Sequence, residues 1–432
     1  MYVGRPESAS HPVMSPPIGT QLLGTIALEH GHDVMLFDNR LQPADVLLGD
    51  IDDFSPHVVG FSFLSPSADQ AVALARRTRA SGRLVIAGGV HASIHAADLM
   101  ASGAFDCVVR REGENALIDI CERLRAGQPP EGIVTGTEWA ELDTLPHYAD
   151  FPLYRPVYLP SNTFRSVYVQ LGRGCPMRCT FCELPNNDVF APPRRRFRSI
   201  DRIMAELHVY HARWRINFIT LVDSIATLNL PLIEEFVRRV NIELPGVGFM
   251  FNAHANRFGA GLAAAIGEAQ RGRTLDAEKI TVWFGFESGS QRLLDFMTKG
   301  TTVAQGRAVA DLCHLHGVQI GANLLLGVPT ESPRDYDQHH AFMDYVKPQF
   351  PNPNILNPLP GTEMYSYCRR EGILRDEHDY TIWTGRDIAA RNEGPITTID
   401  YQLVLDAYYR YREDDRDPPA PDRYRPWAEQ GS

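Results

Sequence analysis

The sequence predicts an α/β protein built from a doubly wound, Rossmann-like parallel sheet and a following (β/α)6-type partial TIM barrel. Short apolar runs alternate with helical patterns through the first third of the chain. The same alternation restarts at Ser166. The apolar runs lack polar alternation, which indicates strands buried on both faces. A length of 432 residues suits two or three domains.

Composition shifts divide the chain into four segments. The Rossmann-like domain is predicted over residues 1–128 and the barrel over residues 166–375. Residues 129–165 contain many Pro and Gly and are interpreted as a linker. Residues 376–432 are predicted to be a C-terminal extension with a proline-rich end.

In the first domain, four apolar runs predict strands and the intervening amphipathic patterns predict helices. The strands are predicted over 33–38, 58–63, 84–88 and 107–110. The helices are predicted over 18–30, 68–80, 92–102 and 114–125.

In the barrel, six further strand patterns alternate with helical ones, so active residues are expected at the carboxyl ends of the strands. The strands are predicted over 166–172, 217–223, 249–255, 280–288, 319–327 and 353–359. The helices are predicted over 200–214, 230–240, 261–271, 290–297, 303–316 and 334–346, with one more over 403–412.

Charge and hydropathy exclude two classes of partner. The chain has 42 Lys and Arg against 53 Asp and Glu, a net charge of −11, which argues against a broad nucleic-acid-binding face. No run approaches the roughly 20 apolar residues of a membrane span, and the N-terminus lacks an apolar signal core. We therefore predict a cytoplasmic protein whose seven cysteines are thiols or metal ligands.

Three cysteines form the most specific motif. Cys175, Cys179 and Cys182 have the spacing C-x3-C-x2-C, and soft thiolates favour zinc, copper(I) or iron–sulfur clusters. Structural zinc takes four ligands, whereas the next histidines are the distant His208 and His211. A four-iron cluster on three thiolates keeps one iron open for another ligand. Zinc completed by a distant residue stays an alternative.

This motif, with Phe181 before the last cysteine, resembles the signature of the radical S-adenosylmethionine (SAM) enzymes. The resemblance covers about residues 55 to 370. It implies a [4Fe-4S] cluster that binds SAM at its open iron and cleaves it to a 5′-deoxyadenosyl radical. It also implies a small-molecule substrate and an external one-electron donor such as flavodoxin, and it leaves the oligomeric state open.

Later strand ends are also similar to that family. Residues 285–290 (GFESGS) resemble its SAM-contacting segment, and 326–332 and 357–362 resemble its turns after the last strands. Ser288 or Ser290 could instead open the following helix as an N-cap. The resemblance predicts SAM-binding roles for Phe181, Gly285, Glu287, Ser288, Gly289, Arg257 and Asn323.

Three residues at strand ends are predicted to be catalytic: Asp223, His254 and Glu331. A histidine can transfer a proton near neutral pH, although His254 fits a structural, hydrogen-bonded role equally well. Asp223, Glu183 and Glu331 are candidates to bind ammonium groups of a substrate.

The first domain resembles the cobalamin-binding domain that precedes the barrel in many radical SAM enzymes. Its glycine-containing segments carry the likeness, notably 60–62 and 88–91. It has no D-x-H-x-x-G cobalt-ligating pattern, and only Met1–Gly4 could form the usual first strand. Cobalamin binding is therefore left open.

Three functions follow from these resemblances. The preferred prediction is radical dehydration of a cationic, aminoglycoside-like polyol without cobalamin, as in the radical dehydratases of the apramycin pathway. The alternative is cobalamin-dependent methylation at an unactivated carbon. A non-enzymatic zinc or iron–sulfur protein is the third.

Overall fold

The structure is a computed structural model that describes most of the chain in two compact units, residues 1–161 and 162–432. The described residues are 1–3, 17–40, 44–147, 165–183, 195–275, 278–375, 388, 391 and 393–412. No helix among them is both long and apolar enough to cross a membrane.

The first unit is a five-stranded, all-parallel sheet in the order β1-β2-β3-β4-β5. Its strands are β1 Tyr2–Val3, β2 Val58–Phe63, β3 Leu84–Gly88, β4 Cys107–Arg110 and β5 Gly132–Thr135. Its helices are α1 Ile18–Glu29, α2 Ala44–Phe54, α3 Ala68–Arg79, α4 Val90–Ile94, α5 Ala96–Ala101 and α6 Glu114–Arg125.

Alternate residues of this sheet enter two separate cores. Val85 and Val108 belong to a cluster with Leu47 of α2, whereas Ile86 belongs to a second cluster with Ile120 of α6. Apolar side chains on both faces need helices on both faces. The doubly wound α/β prediction is therefore confirmed.

Three details of the first unit differ from expectation. Residues 33–38 form no strand beyond an isolated bridge at Asp38, although Phe37 packs in the core. An apolar run requires burial but does not by itself supply a hydrogen-bonding partner. The helix over Ala44–Phe54 was not predicted, and Gly132–Thr135 adds a strand within the stretch interpreted as a linker. The first strand is short, as expected, and pairs Tyr2 with Ser62.

The second unit is a six-stranded parallel sheet in the order β13-β12-β11-β10-β9-β6, with a two-stranded ribbon β7-β8. Its strands are β6 Ser166–Val169, β7 Gly172–Arg173, β8 Arg196–Phe197, β9 Phe218–Leu221, β10 Gly248–Ala253, β11 Ile280–Glu287, β12 Gln319–Leu326 and β13 Phe350–Ile355. Its helices are α7 Ile200–Trp214, α8 Leu230–Glu243, α9 Ala260–Gln270, α10 Gln291–Phe296, α11 Val303–His316, α12 Pro333–Val346, α13 Glu363–Arg370 and α14 Tyr401–Tyr411.

One face of this sheet is covered by helices. Phe249 of β10 packs edge-to-face on Phe236 of α8, and Phe286 of β11 packs on Phe342 of α12. Phe249 lies opposite Ile280 in the strand register, and Ile280 and Phe286 point to the same face of β11, so both helices pack on one side of the sheet. The alternate residues, including Asn252 and Trp283, therefore face the other side. This is the predicted open (β/α)6 arrangement.

Candidate functional site

The cysteine loop follows β6, at the carboxyl edge of the second sheet. Gly172 and Arg173 pair antiparallel with Phe197 and Arg196, so the start of the loop is held as a short ribbon. A Cβ at Gly172 would lie 2.6 Å from the carbonyl oxygen of Arg196. The ribbon therefore requires glycine at this position.

Asp223 anchors the same stretch. Its two carboxylate oxygens accept hydrogen bonds from the backbone N–H groups of Leu171 (2.8 Å) and Gly172 (2.7 Å). Burial raises the pKa of Asp223 to about 7, although these two N–H groups act in the opposite direction. Its catalytic role stays a prediction, and its contacts indicate that it holds the cysteine loop in place.

The three thiols lie within electrostatic reach of one another. Cys179 is buried, and Cys175 and Cys182 are half-buried. Burial raises the pKa of the Cys179 thiol to about 11, and the two other thiols add to this while Lys299 opposes it. A thiolate at Cys179 therefore needs a bound cation or cationic cluster to displace its proton.

Three soft sulfur ligands on one loop match the donor chemistry of an iron–sulfur cluster. In a four-iron cluster each thiolate ligates a different iron, so its donors stand further apart than those around one ion. Within the described ranges, no three His, Cys, Asp or Glu side chains are placed to hold a single metal ion.

A buried ion pair beside this loop was missed by the sequence analysis. Lys299 Nζ lies 2.8 Å from Glu287 Oε1, with side chains only 10% and 13% exposed. The same ammonium lies 5.9 Å from the centroid of the Phe181 ring. Burial disfavours the charged lysine, but Glu287 and the thiols of Cys179 and Cys182 outweigh it, so the pKa of Lys299 is raised. The chain has only three lysines among 42 basic residues, a signal that could have drawn attention to it.

In the 285–290 segment, Gly285 and Gly289 are each required for a different structural reason. A Cβ at Gly285 would lie 2.5 Å from Glu287 Oε1 and 2.8 Å from Lys299 Nζ, so this glycine makes room for the ion pair. A Cβ at Gly289 would overlap the carbonyl oxygen of Gln338 on α12. Ser288 is buried too, with its Oγ 3.4 Å from His339 Nδ1. Gly289 is therefore required by helix packing; its predicted contact with SAM stays a prediction.

His254 is buried behind the lysine. Its Nε2 lies 3.1 Å from the carbonyl oxygen of Lys299, and its Nδ1 accepts a long hydrogen bond from the backbone of Asn256. Burial, followed by the positive charge of Lys299, lowers the pKa of His254. These contacts are those of a neutral histidine that supports the Lys299 segment. Proton transfer by His254 stays a prediction.

Two other predicted residues lie apart from this group. Arg257 is exposed, and no ion pair to a carboxylate is formed by it within the described part of the chain. Glu331 has a fully buried side chain that contacts Tyr336 and His339. The SAM-binding role of Arg257 and the catalytic role of Glu331 both stay predictions.

The face of the sheet opposite α8 and α12 is lined with amides and aromatic rings. Trp283 lies over Gly321, where any Cβ would overlap the indole, and its ring stacks on Phe350. Its Nε1–H is buried without a hydrogen-bond partner in the described structure. Asn323 Oδ1 accepts a 2.7 Å hydrogen bond from Asn352 Nδ2. The half-buried Asn323 is therefore held by its oxygen, and its own NH2 group is left to donate.

The first unit has a different cluster, at the carboxyl ends of β2 and β3. Gly89 has φ +91°, and a Cβ there would lie 2.9 Å from Ser62 Oγ, whereas Gly88 borders open space. His91 Nδ1 lies 3.0 Å from Ser65 Oγ, and the His91 ring stacks on His95 with centroids 4.4 Å apart. Burial lowers the pKa of His91 to about 3, so His91 is uncharged at neutral pH.

Family models match both units. Residues 9–120 match the model of the B12 binding domain, and residues 169–343 match that of the radical SAM superfamily. The chain therefore carries a B12-binding domain followed by a radical SAM domain, and the latter implies a [4Fe-4S] cluster and SAM as cofactors.

The relatives include proteins named as methyltransferases. An uncharacterized methyltransferase of Pyrococcus horikoshii is 26% identical over 380 residues, which cover 83% of this chain and 80% of that protein. The hopanoid C-3 methylase of Methylococcus capsulatus is 29% identical over 225 residues, covering 49% and 42%. The bacteriochlorophyllide d C-12(1)-methyltransferase of Chlorobaculum tepidum is 23% identical over 359 residues, covering 82% and 73%.

Solved structures share the fold. The radical SAM methyltransferase TsrM of Kitasatospora setae, with cobalamin and a [4Fe-4S] cluster bound, gives a TM-score of 0.65 at 16% identity and covers 85% of this chain and 74% of its own. The cobalamin-dependent radical SAM enzyme OxsB, with aqua-cobalamin bound, gives 0.62 at 16% identity, with coverages of 97% and 62%.

These relatives contradict the prediction of radical dehydration without cobalamin. Proteins named as methyltransferases match most of this chain, and a cobalamin-type domain is present. The short first strand, which was one reason to leave cobalamin binding open, is paired with β2. The dehydratase prediction was therefore wrong, and the alternative of methylation is favoured.

Proposed function

We propose that this protein is a cobalamin-dependent radical SAM methyltransferase that methylates a carbon atom of a small molecule. The observation that carries the proposal is the succession, in one chain, of a B12-binding domain and a radical SAM domain. The match to named methyltransferases over most of the chain supports it.

The cofactors would be held by residues already described. Cys175, Cys179 and Cys182 would ligate the cluster, while the glycine edge of the first unit, at Gly88 and Gly89, would border cobalamin. When bound, the cluster supplies the electron that cleaves SAM, and cobalamin supplies a carrier for the transferred methyl group. Asp223 would keep the cysteine loop in register through its bonds to Leu171 and Gly172.

Lys299 and Glu287 would recognise the amino-acid part of SAM. A buried ammonium and a buried carboxylate, side by side, complement the carboxylate and the amino group of a zwitterion. Phe181 covers the lysine, and His254 binds the carbonyl oxygen of the same residue. These contacts would exclude water and strengthen the charge pairing.

The contacts of two acidic residues move the expected substrate class away from a polycation. Asp223 and Glu331 use their carboxylates inside the protein, so neither offers a free charge to an ammonium group. The face of the sheet opposite α8 and α12 instead carries donors, the NH2 group of Asn323 and the buried N–H of Trp283. We therefore favour a neutral or anionic substrate that carries hydrogen-bond acceptors over an aminoglycoside. A flavodoxin-type electron donor stays a prediction.

Anaerobic reconstitution with iron, sulfide and hydroxocobalamin tests the proposal. The protein is incubated with dithionite, SAM carrying a trideuterated methyl group, and fractionated small molecules. We expect protein-bound cobalamin, 5′-deoxyadenosine, and a product that carries the deuterated methyl group.

The matched control is Cys175→Ala. It should lose 5′-deoxyadenosine formation while it retains hydroxocobalamin, because its ligand change lies in the radical SAM domain. A reconstituted wild-type protein that forms 5′-deoxyadenosine but takes up no hydroxocobalamin would contradict the methyltransferase proposal.

A further inference from the structure

The backbone of the 285–290 segment turns sharply where β11 ends. Glu287 adopts φ +62°, a left-handed conformation that a non-glycine residue rarely takes. The pairing register with β12 shifts between Gly285 and Glu287, and the N–H of Ser288 bonds back to the carbonyl oxygen of Phe286 at 2.8 Å. Such a strained turn persists only where its surroundings hold it.

The ring of His339 on α12 supplies one such support. The N–H of Gly289 donates to His339 Nδ1 at 2.9 Å, and His339 Nε2 lies 2.8 Å from Glu331 Oε1. Because Nδ1 accepts from Gly289, it carries no proton. The proton of the neutral ring is therefore on Nε2 and is donated to Glu331.

Glu331 is fixed in turn by the loop after β12. Its Oε2 accepts hydrogen bonds from the backbone of Gly327 and Val328 and from the hydroxyl of Tyr336, at 2.5, 3.2 and 2.7 Å. The side chains of Glu331 and His339 are both 0% exposed. The carboxylate therefore has acceptor contacts on both oxygens and cannot rotate without breaking several bonds.

Helix α12 touches the same segment at two further points. Ser290 Oγ donates to Asp335 Oδ1 at 2.6 Å, and Gly289 packs so closely on Gln338 that a Cβ would not fit. Asp335 and His339 are one helical turn apart and lie on one face of the helix. Capping by Ser332 and Pro333 sets where this helix begins. It therefore also sets where Asp335 and His339 lie along the 285–290 segment.

We infer that His339, oriented by Glu331, is a positioning residue that holds the Glu287–Gly289 backbone in the shape that binds SAM. The inference rests on the proposed role of this segment in SAM binding. Glu331 would then affect SAM binding without touching the ligand, because it fixes the tautomer and the orientation of the His339 imidazole.

The test measures the dissociation constant of S-adenosylhomocysteine, a non-reactive analogue of SAM, on reconstituted protein by equilibrium dialysis. Glu331→Gln keeps the shape of the side chain. Its NH2 group would face His339 Nε2, because the opposite oxygen already receives three donors. The ring proton would then move to Nδ1, and the acceptor for Gly289 would be lost. We expect an at least tenfold weaker affinity.

Two variants of His339 complete the design. His339→Leu removes the acceptor and should weaken binding at least tenfold, whereas His339→Asn keeps an acceptor oxygen near the position of Nδ1 and should stay within about threefold of the wild type. The matched control, His340→Leu, changes the neighbouring histidine, which bonds to Tyr411 instead, and should leave affinity within twofold.

Iron content and far-ultraviolet circular dichroism report whether each variant is folded and loaded. Loaded Glu331→Gln and His339→Leu proteins that bind the analogue as tightly as the wild type would overturn the inference. If either fails to fold, the other decides. A loaded wild-type protein that binds neither SAM nor the analogue would overturn the proposed function instead.

Discussion

The polar clusters at the carboxyl edges of the two sheets differ in charge. In the first unit, His91 stacks on His95, bonds to the hydroxyl of Ser65 and is itself uncharged at neutral pH, because burial lowers its pKa to about 3. In the second unit, Lys299 and Glu287 form a buried ion pair beside three thiols. Both edges are carboxyl ends of parallel strands, where α/β proteins bind ligands.

Under the proposed function, the difference means that one type of sheet edge would serve two kinds of cofactor contact. Glycine and neutral side chains offer shape without charge, as a large cofactor requires. A buried ion pair offers charge in a medium where it is poorly screened, as a zwitterionic ligand requires. The comparison predicts that the two units respond differently to mutation and to pH.

The largest expected effect comes from breaking the ion pair of the second unit. Lys299→Met leaves Glu287 buried without its partner, which should lower the free energy of unfolding by about 3–5 kcal/mol. The double variant Lys299→Met, Glu287→Met should recover most of this loss, because no lone charge remains. Urea unfolding followed by tryptophan fluorescence measures both.

A loss of less than about 1 kcal/mol in the single variant would contradict the description of Lys299 and Glu287 as a buried, mutually dependent ion pair. The same variant should still take up hydroxocobalamin, since the first unit is unchanged.

Acidification should change the contributions of His91 and Asp223 to stability in opposite directions. The pKa of His91 falls from 6.5 to about 3 on folding, so the unfolded chain binds more protons between these values and the first unit loses stability as pH falls. The pKa of Asp223 rises from 3.8 to about 7, so the folded second unit binds more protons and gains stability as pH falls from 7. The upper limit is about 5 kcal/mol for His91 and about 4 kcal/mol for Asp223 across their windows.

Amide hydrogen exchange with mass spectrometry, corrected for intrinsic rates, resolves the two units at pH 4.5 and 6.5. His91→Gln should remove the part of the first unit's pH dependence that comes from His91, and Asp223→Asn should remove the part of the second unit's that comes from Asp223. Variants whose pH dependence equals that of the wild type would refute the assigned protonation states.

The smallest expected effect concerns the glycine edge of the first unit. Gly89→Ala places a Cβ 2.9 Å from Ser62 Oγ at φ +91°, which should cost about 1–3 kcal/mol of stability. Hydroxocobalamin uptake, measured by absorbance after gel filtration, should fall while SAM-analogue binding is retained. Gly103→Ala is a matched control, because it also has positive φ but no neighbour within 4 Å. Equal uptake by the two variants would show that the glycine edge does not border the cofactor.

Signals contained within a short stretch of sequence predicted the bounds of several elements and the shared loop of the three cysteines. The spacing of Cys175, Cys179 and Cys182 is a property of eight consecutive positions, and the structure places all three on one loop near one another. Several helices and strands, such as Ile200–Trp214 and Val303–His316, have the predicted bounds, since capping and periodicity are written within the segment. The strand predicted over 33–38 failed because strand formation needs a partner from elsewhere in the chain.

The roles of acidic residues needed the fold. Asp223, Glu287 and Glu331 all lie at or just after the ends of strands and look alike in sequence, yet one accepts backbone N–H groups, one pairs with Lys299, and one bonds to His339. The partner lies 12 positions away for Glu287, 8 for Glu331 and about 50 for Asp223. Nothing within each segment specifies those partners.

The sequence by itself determined the two α/β units, the order of their elements and the thiol chemistry, because periodicity and motif spacing act over a few residues. Only the tertiary structure decided which charges are paired, which glycines face helices and which carboxylates are closed to a substrate. These properties arise when strands that are distant in sequence are brought to a common edge, where burial makes every charge and hydrogen bond depend on its neighbours.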